Sequence, residues 1–185
     1  MSRLFVSLDL PESLRRNLAA LDPGIRGVRW LPPEQIHLTL SFLGNVETDA
    51  ETALRERLSG ITFGSFFLPI TGMGVFPQKG KPNVVWAGVG AGHPHLFQLH
   101  KRVHEAALGA GLEPDLRSFH PHVTVARCKD VSAEAIRPFL KMQAEYSGGL
   151  VRIESFSLFS SVPGPNGSNY TPELRVAAAN TLRSF

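Results

Sequence analysis

The sequence predicts an α+β fold with two similar lobes, and two observations support this expectation. Stretches in which apolar and polar residues alternate, as in β-strands, are interleaved with stretches of helical apolar spacing along the 185 residues. A His-x-Thr motif occurs in two strand-like stretches, at His37 and at His122, 85 residues apart (122 minus 37). A residue able to cap a helix follows each histidine, Thr48 after 11 positions and Ser132 after 10. Residues 1–185 are therefore expected to form one bilobal domain containing two copies of a strand–turn–helix unit.

The first half of the chain is expected to alternate strands and helices. RLFVSLDL predicts a strand, and PESLRRNLAAL, with leucines at helical spacing, predicts a helix. IHLTLSFLG predicts a second strand. Its alternation assigns one face to Ile36, Leu38, Leu40 and Phe42, and the other to His37, Thr39 and Ser41. Thr48 and Glu51 have the spacing of a capping box, which predicts a helix to about Leu58.

The second half is expected to repeat this arrangement. FFLPITGMGVF and NVVWAGVG predict strands around a turn-rich segment, and HPHLFQLHKRVHEAALGAG predicts a helix that ends at glycines. PHVTVAR predicts the strand that carries His122 and Thr124. Ser132 is expected to cap the helix AEAIRPFLKM, which Pro138 is expected to shorten. VRIESFSLFSS and NYTPELRVAAA predict two closing strands.

Composition limits the classes of function that the chain can have. A net charge of +3 and a pI near 9.4 permit a phosphate-bearing partner, although no block of basic residues indicates a nucleic-acid tail. The single cysteine, Cys128, excludes an intramolecular disulfide and a thiolate zinc cluster. The chain has neither a signal-peptide core nor an apolar run of the roughly 20 residues that a membrane span needs. We expect a cytoplasmic monomer without an obligate protein partner.

The two His-x-Thr segments carry the residue types that phosphodiester chemistry uses. On a strand, residues i and i+2 project to the same side, so each segment directs one imidazole and one hydroxyl into the same space. A neutral histidine can accept a proton from the attacking water, and a protonated one can donate to the leaving alkoxide. Threonine hydroxyls can donate hydrogen bonds to the non-bridging phosphate oxygens. Such a site needs neither a metal ion nor a cofactor.

Three segments carry a resemblance to a known family. RWLPPEQIHLTLSFLGNV, PNVVWAGV and RSFHPHVTVAR resemble the signature segments of the bacterial and archaeal RNA 2′,3′-cyclic phosphodiesterases, formerly called 2′-5′ RNA ligases. These enzymes belong to the two-histidine (2H) phosphoesterase superfamily. The resemblance covers essentially the whole chain, including the closing FSLFSSVPGPNGSNYTPEL segment.

This resemblance implies a fold, a reaction and residue roles. The fold would be bilobal, with two pseudo-symmetric antiparallel sheets, outer helices and a central cleft. The reaction would be metal-independent hydrolysis of a terminal RNA 2′,3′-cyclic phosphate to a 2′-phosphate, with reversible 2′-5′ joining in some members. Carried over, His37 would be the proton donor and His122 the proton acceptor. Thr39 and Thr124 would hold the phosphate.

Five further residues are candidates for substrate binding. Arg127 stands where relatives have an arginine, but a regular strand would direct it away from Thr124, so an ion pair is an equal expectation. Phe119, Trp30 and Tyr170 could stack on a nucleobase, although core packing is the alternative for Trp30 and Phe119. His120 could perturb the pKa of His122. Cys128 would share the face of His122, without an assigned role.

Three alternative functions follow from the same residues. A metal-dependent hydrolase could use His120 and His122 with the pairs His93/His95 and His100/His104, although zinc needs three ligands or more. A non-catalytic module could bind nucleotides or RNA in the same cleft. A small cyclic nucleotide or a cyclic ADP-ribose phosphate could replace RNA as the substrate of the two-histidine mechanism.

Overall fold

A computed structural model describes residues 2–115, 118–165 and 167–179. These residues form ten strands, four α-helices and a 3₁₀ turn at Pro33–Gln35. The helices are α1 (Glu12–Ala19), α2 (Thr48–Ser59), α3 (Pro94–Gly109) and α4 (Ala133–Met142). The strands are β1 (Ser2–Leu8), β2 (Val28–Trp30), β3 (Leu38–Val46), β4 (Phe66–Thr71), β5 (Met73–Phe76), β6 (Val84–Ala87), β7 (Val123–Cys128), β8 (Ser147–Ile153), β9 (Ser155–Gly164) and β10 (Gly167–Ala177).

The strands form two antiparallel sheets. The larger sheet has the order β10-β9-β1-β3-β7-β6-β5, with β2 paired to β7, and the smaller sheet consists of β4 and β8. In the larger sheet β3 and β7 meet through the pairing of Leu38 with Val123. This narrow junction divides the sheet into a first lobe (β10, β9, β1, β3) and a second lobe (β7, β6, β5, β2). The expected α+β fold with two antiparallel sheets is therefore confirmed.

The expected internal duplication is present in the order of the elements. The succession β1-α1-β3-α2-β4 is repeated as β6-α3-β7-α4-β8, apart from the short β2 and the 3₁₀ turn in the first copy. Within the copies β1 pairs with β3 and β6 with β7, and β4 pairs with β8 between the copies. Helices α2 and α4 each begin 11 residues after a histidine of the His-x-Thr pair (48 minus 37, 133 minus 122).

Each lobe is covered by two helices, one from each copy. Helices α2 and α3 pack on each other, α3 contacts β3, and α2 contacts β10 of the first lobe. On the second lobe, Trp30 of β2 donates an indole hydrogen bond to the Leu18 carbonyl of α1 and packs edge-on against Phe139 of α4. Buried leucine, isoleucine, valine and phenylalanine side chains of all four helices form one continuous core with the sheet.

The helix boundaries differ from the sequence expectations at two residues. Thr48 is the first residue of α2 rather than its cap, because the preceding Glu47 has the extended backbone of an N-cap position. Ser132 does cap α4, accepting a hydrogen bond from the Ala135 amide at 3.2 Å. Pro138 lies inside α4 without shortening it, since the burial of Ile136 and Phe139 holds the helix on both sides of the proline.

The short β2 was missed by the pattern analysis, and two predicted strands are each divided. VRIESFSLFSS contains the end of β8 and most of β9, and FFLPITGMGVF contains β4 and β5. β2 has three residues, too few for alternation to be recognised, and β8 contains the adjacent glycines Gly148 and Gly149. None of the helices among the described residues has both the length and the hydropathy that a membrane crossing requires.

Candidate active site

The junction between the lobes brings the two predicted histidines together. His37 and His122 immediately precede β3 and β7, and the residues that follow them, Leu38 and Val123, are paired across the junction. Both histidines line one cavity of about 550 Å³, together with Thr39 and Thr124. The structure thus assembles all four residues of the two His-x-Thr segments in a single cleft.

The two imidazoles are anchored in the same way. Nδ1 of His37 donates to the carbonyl of Gln35 at 2.8 Å, and Nδ1 of His122 donates to the carbonyl of His120 at 2.7 Å. Because a carbonyl oxygen can only accept, each neutral ring carries its proton on Nδ1. Nε2 is therefore the nitrogen of each ring that is available for a ligand in the cavity, as either acceptor or donor.

Burial and positive charge favour the neutral form of both rings. Burial, with smaller contributions from the charges of Arg127 and His122, lowers the pKa of His37 to about 4 despite its backbone hydrogen bond. Burial also lowers the pKa of His122, and the charges of His120 and Arg127 act in the same direction. An anion bound between the rings would oppose these effects and favour protonation.

A β-bulge three residues after each histidine shapes the cavity wall. In β3, Val6 pairs with Ser41 and Ser7 with Thr39, so Leu40 is an extra residue. In β7, Val85 pairs with Ala126 and Trp86 with Thr124, so Val125 is an extra residue. Each bulge reverses the in–out alternation of the residues that follow it, in β3 as far as a second extra residue at Leu43.

The bulges bring two equivalent residues, each five positions after a histidine, into the cavity. Phe42, expected in the core, is 57% exposed and lines the cavity, whereas Leu43 is buried. Arg127, which a regular strand would direct away from Thr124, lines the same cavity and acts electrostatically on both histidines. The core position predicted for Phe42 and the outward direction predicted for Arg127 are therefore wrong, and Arg127 is a cation of the site.

Aromatic rings flank the two histidines. The Tyr170 ring stands edge-on to His37 at a centroid distance of 5.3 Å, and Phe5 lies 4.9 Å from both His37 and Tyr170. Phe76 stands edge-on to His122 at 5.0 Å. Tyr170, a predicted base-stacking residue, lines the cavity.

Trp30 was also a candidate for base stacking, and this interpretation is wrong. The residue is only 9% exposed, and its indole nitrogen and ring are engaged by Leu18 and Phe139 in the core of the second lobe. Its role is to join α1 and α4 to β2.

Phe119 and His120 lie in a neighbouring cavity of about 740 Å³, which shares Thr39, Phe42 and His122 with the first. The Phe119 ring is stacked on His100, with centroids 3.9 Å apart. The structure therefore places Phe119 and His120 in a cavity that adjoins the first and is itself lined by His122. Cys128 lies beyond the bulge and packs against the core, where burial raises the pKa of its thiol.

The histidines of the metal alternative are distributed over separate parts of the fold. His93 and His95 contact each other and Phe66, while His100 binds the Leu40 carbonyl through Nδ1. Across residues 2–115, 118–165 and 167–179, no cluster of three or more histidine, cysteine, aspartate or glutamate side chains is close enough to share a metal ion. The alternative set of ligands is not assembled in this part of the chain.

Several residues of the cavity were missed by the pattern analysis. Arg3, Arg29 and Gln35 line it, and Gln35 also supplies the carbonyl that anchors His37. Arg29 and Gln35 belong to the quoted segment RWLPPEQIH, but residue type alone gave them no role. Only their position at the junction of β1, β2 and β3 identifies them.

Known proteins are similar to this chain in fold and in sequence over most of its length. The model of the LigT like Phosphoesterase family matches residues 8–86 and 89–170. The RNA 2′,3′-cyclic phosphodiesterase of Archaeoglobus fulgidus is 36% identical over 177 residues, covering 94% of this chain and 98% of that protein. The protein of the same name from Escherichia coli is 31% identical, covering 95% and 96%.

Solved structures are also similar to this chain in fold. The crystal structure of E. coli LigT complexed with 3′-AMP has a TM-score of 0.79 at 28% identity, covering 97% of this chain and 99% of that one. The crystal structure of TT0787 of Thermus thermophilus has a TM-score of 0.77 at 26% identity, covering 95% and 97%. With its two anchored histidines in one cleft and a match that extends over both lobes, the chain belongs to the LigT-like phosphoesterase family.

Proposed function

We propose that this protein is an RNA 2′,3′-cyclic phosphodiesterase that converts a terminal 2′,3′-cyclic phosphate into a 2′-phosphomonoester. The observation that carries this proposal is the equivalent anchoring of His37 and His122 on one cavity, which leaves Nε2 of each ring for the substrate. The relatives named RNA 2′,3′-cyclic phosphodiesterase support the choice of substrate. The whole chain would serve as one bilobal catalytic domain, since each lobe supplies one histidine.

The proposed reaction is a single displacement at phosphorus. His122 accepts a proton from a water molecule, whose oxygen forms a bond to phosphorus while the bond from phosphorus to the ribose O3′ breaks. His37 donates its proton to O3′, so a 3′-hydroxyl and a 2′-phosphate are formed. Thr39, Thr124 and Arg127 bind the non-bridging oxygens, where charge changes in the transition state.

Substrate binding itself would prepare His37 to act as the acid. In the free site its pKa of about 4 leaves the ring neutral near pH 7. The negative charge of the cyclic phosphate counters the effects of Arg127 and His122 and so raises the pKa of His37. The same groups would join RNA ends if a 5′-hydroxyl attacked phosphorus in place of water, forming a 2′-5′ linkage while the bond to O3′ breaks. In the microscopic reverse, O3′ attacks phosphorus and the 5′-hydroxyl leaves, which breaks that linkage.

A substrate panel tests this function. We expect oligonucleotides with a terminal 2′,3′-cyclic phosphate to be hydrolysed to 2′-phosphates at the same rate with and without EDTA, because imidazoles perform both proton transfers. Phosphorus NMR of the products distinguishes the 2′- from the 3′-phosphate. Activity lost in EDTA and restored by a divalent metal would contradict the mechanism. Hydrolysis of only a cyclic ADP-ribose phosphate would instead contradict the proposed substrate.

A further inference from the structure

The cavity extends beyond the phosphate-sized space between the histidines, and its outer part is strongly cationic. Arg3 and Arg29 line it together with Arg127, and none of the described residues that line it carries a carboxylate. At about 550 Å³ it is much larger than a single phosphate requires. Hydrolysis of the cyclic phosphate itself does not account for the two additional arginines.

Arg29 is placed directly opposite Arg127 in the pairing of β2 with β7. Side chains at directly opposed positions of an antiparallel pair lie side by side on one face of the sheet, and both of these arginines line the cavity. Neighbouring strands are about 4.8 Å apart, a step of the same order as the separation between the two phosphates that flank one ribose. The arginine pair can therefore contact two successive phosphates rather than one.

Arg3 reaches the same end of the cavity from the other lobe. It precedes Leu4, which pairs with Ser160 of β9, and the continuation of β9 through Pro163 and Gly164 lines the cavity. Arg29 adjoins the start of β10, the strand that pairs with β9. Its Nη1 lies 3.0 Å from the position that a Cβ at Gly167 would occupy.

We infer that Arg29 and Arg3 bind the phosphate on the 5′ oxygen of the terminal nucleotide, while the histidines act on its 2′,3′-cyclic phosphate. Arginine suits this contact because its planar guanidinium can donate two parallel hydrogen bonds to a phosphate. The inference rests on the proposed function and extends it, since it makes an RNA chain a better substrate than a cyclic mononucleotide. A free nucleotide with a 5′-phosphate presents the same chemistry as the chain.

Three substrates distinguish the 5′-phosphate of a free nucleotide from the phosphate within an RNA chain. They are adenosine 2′,3′-cyclic phosphate, its 5′-phosphorylated form, and a dinucleotide that ends in the cyclic phosphate. We expect the 5′-phosphate and the dinucleotide linkage each to raise kcat/KM by about 10- to 100-fold, as for hydrogen bonds to a charged group. Arg29→Gln and Arg3→Gln should each remove most of this gain. Arg26→Gln, an exposed arginine outside the cavity, is the matched control and should keep it.

Two results would overturn the inference. A gain that survives in both Gln variants overturns the inference, and so does a gain seen with the dinucleotide but not with the 5′-phosphate, which indicates contact with the second nucleoside. Binding of adenosine 2′,5′-bisphosphate relative to adenosine 2′-phosphate, measured by calorimetry, gives the same comparison without turnover. If no cyclic phosphate is hydrolysed, the proposed function fails, and calorimetry still decides whether Arg29 and Arg3 bind the second phosphate.

Discussion

Replacement of either His37 or His122 by alanine is expected to lower kcat for a 2′,3′-cyclic phosphate substrate by about 10²- to 10⁴-fold, the usual contribution of a positioned acid or base. Each ring has its own neighbour and anchor, so neither can substitute for the other. His95→Ala removes an exposed histidine of α3 and is the matched control, expected to retain full activity. Melting temperatures of all three variants show whether folding is preserved.

The two variants should differ when the leaving group no longer needs a proton. From a 3′-deoxynucleoside 2′-(p-nitrophenyl phosphate), p-nitrophenolate departs as a stable anion in the place of O3′, so His37→Ala should recover most of its rate on this ester. His122→Ala should not, because the attacking water still requires a base. If only His122→Ala recovered its rate on this ester, His122 would be the acid and His37 the base. Full activity of either folded variant on the cyclic phosphate would reject the two-histidine mechanism.

Arg127→Ala is expected to have the next largest effect, a loss of about 10²- to 10³-fold in kcat, comparable with removal of one donor from an oxyanion site. Arg127→Lys should recover only part of this loss, because an ammonium cannot make the paired contacts of a guanidinium. Thr39→Val and Thr124→Val remove single hydroxyl donors at nearly constant volume and should each slow kcat in the same direction.

A second effect of Arg127→Ala has a predictable sign. The charge of Arg127 lowers the pKa of both histidines, so its removal should raise both values and move the pH–rate profile toward higher pH. Steady-state rates between pH 4 and 9 measure this shift together with the loss of rate. An unchanged kcat and an unmoved profile would place Arg127 outside the phosphate site.

The fold and the central residues could be predicted from the sequence because they depend on regular patterns. The alternation around Leu38 and Val123 belongs to the regular starts of β3 and β7, and the equal spacing from each histidine to its helix belongs to the internal duplication. His37 and His122 lie before any irregularity in their strands. Their convergence therefore followed from the duplication alone.

Predictions failed where the strands are irregular. The bulges at Leu40 and Val125 reverse the alternation, and no local residue type announces them. Phe42 and Arg127, the two residues immediately affected, are both brought into the cavity by this reversal. Trp30 and Tyr170 could not be separated by residue type either, since an aromatic ring suits a core and a ligand site equally.

NMR titration of the histidine side chains, with and without adenosine 2′-phosphate, tests most directly whether both rings serve one phosphate. In the free protein His37 should titrate near pH 4, and His122 below the ordinary histidine value of about 6.5. Saturation with the nucleotide should raise both pKa values together, by about 1–3 units, because one anion lies close to both rings. A rise confined to one histidine, or to neither, would contradict the shared site.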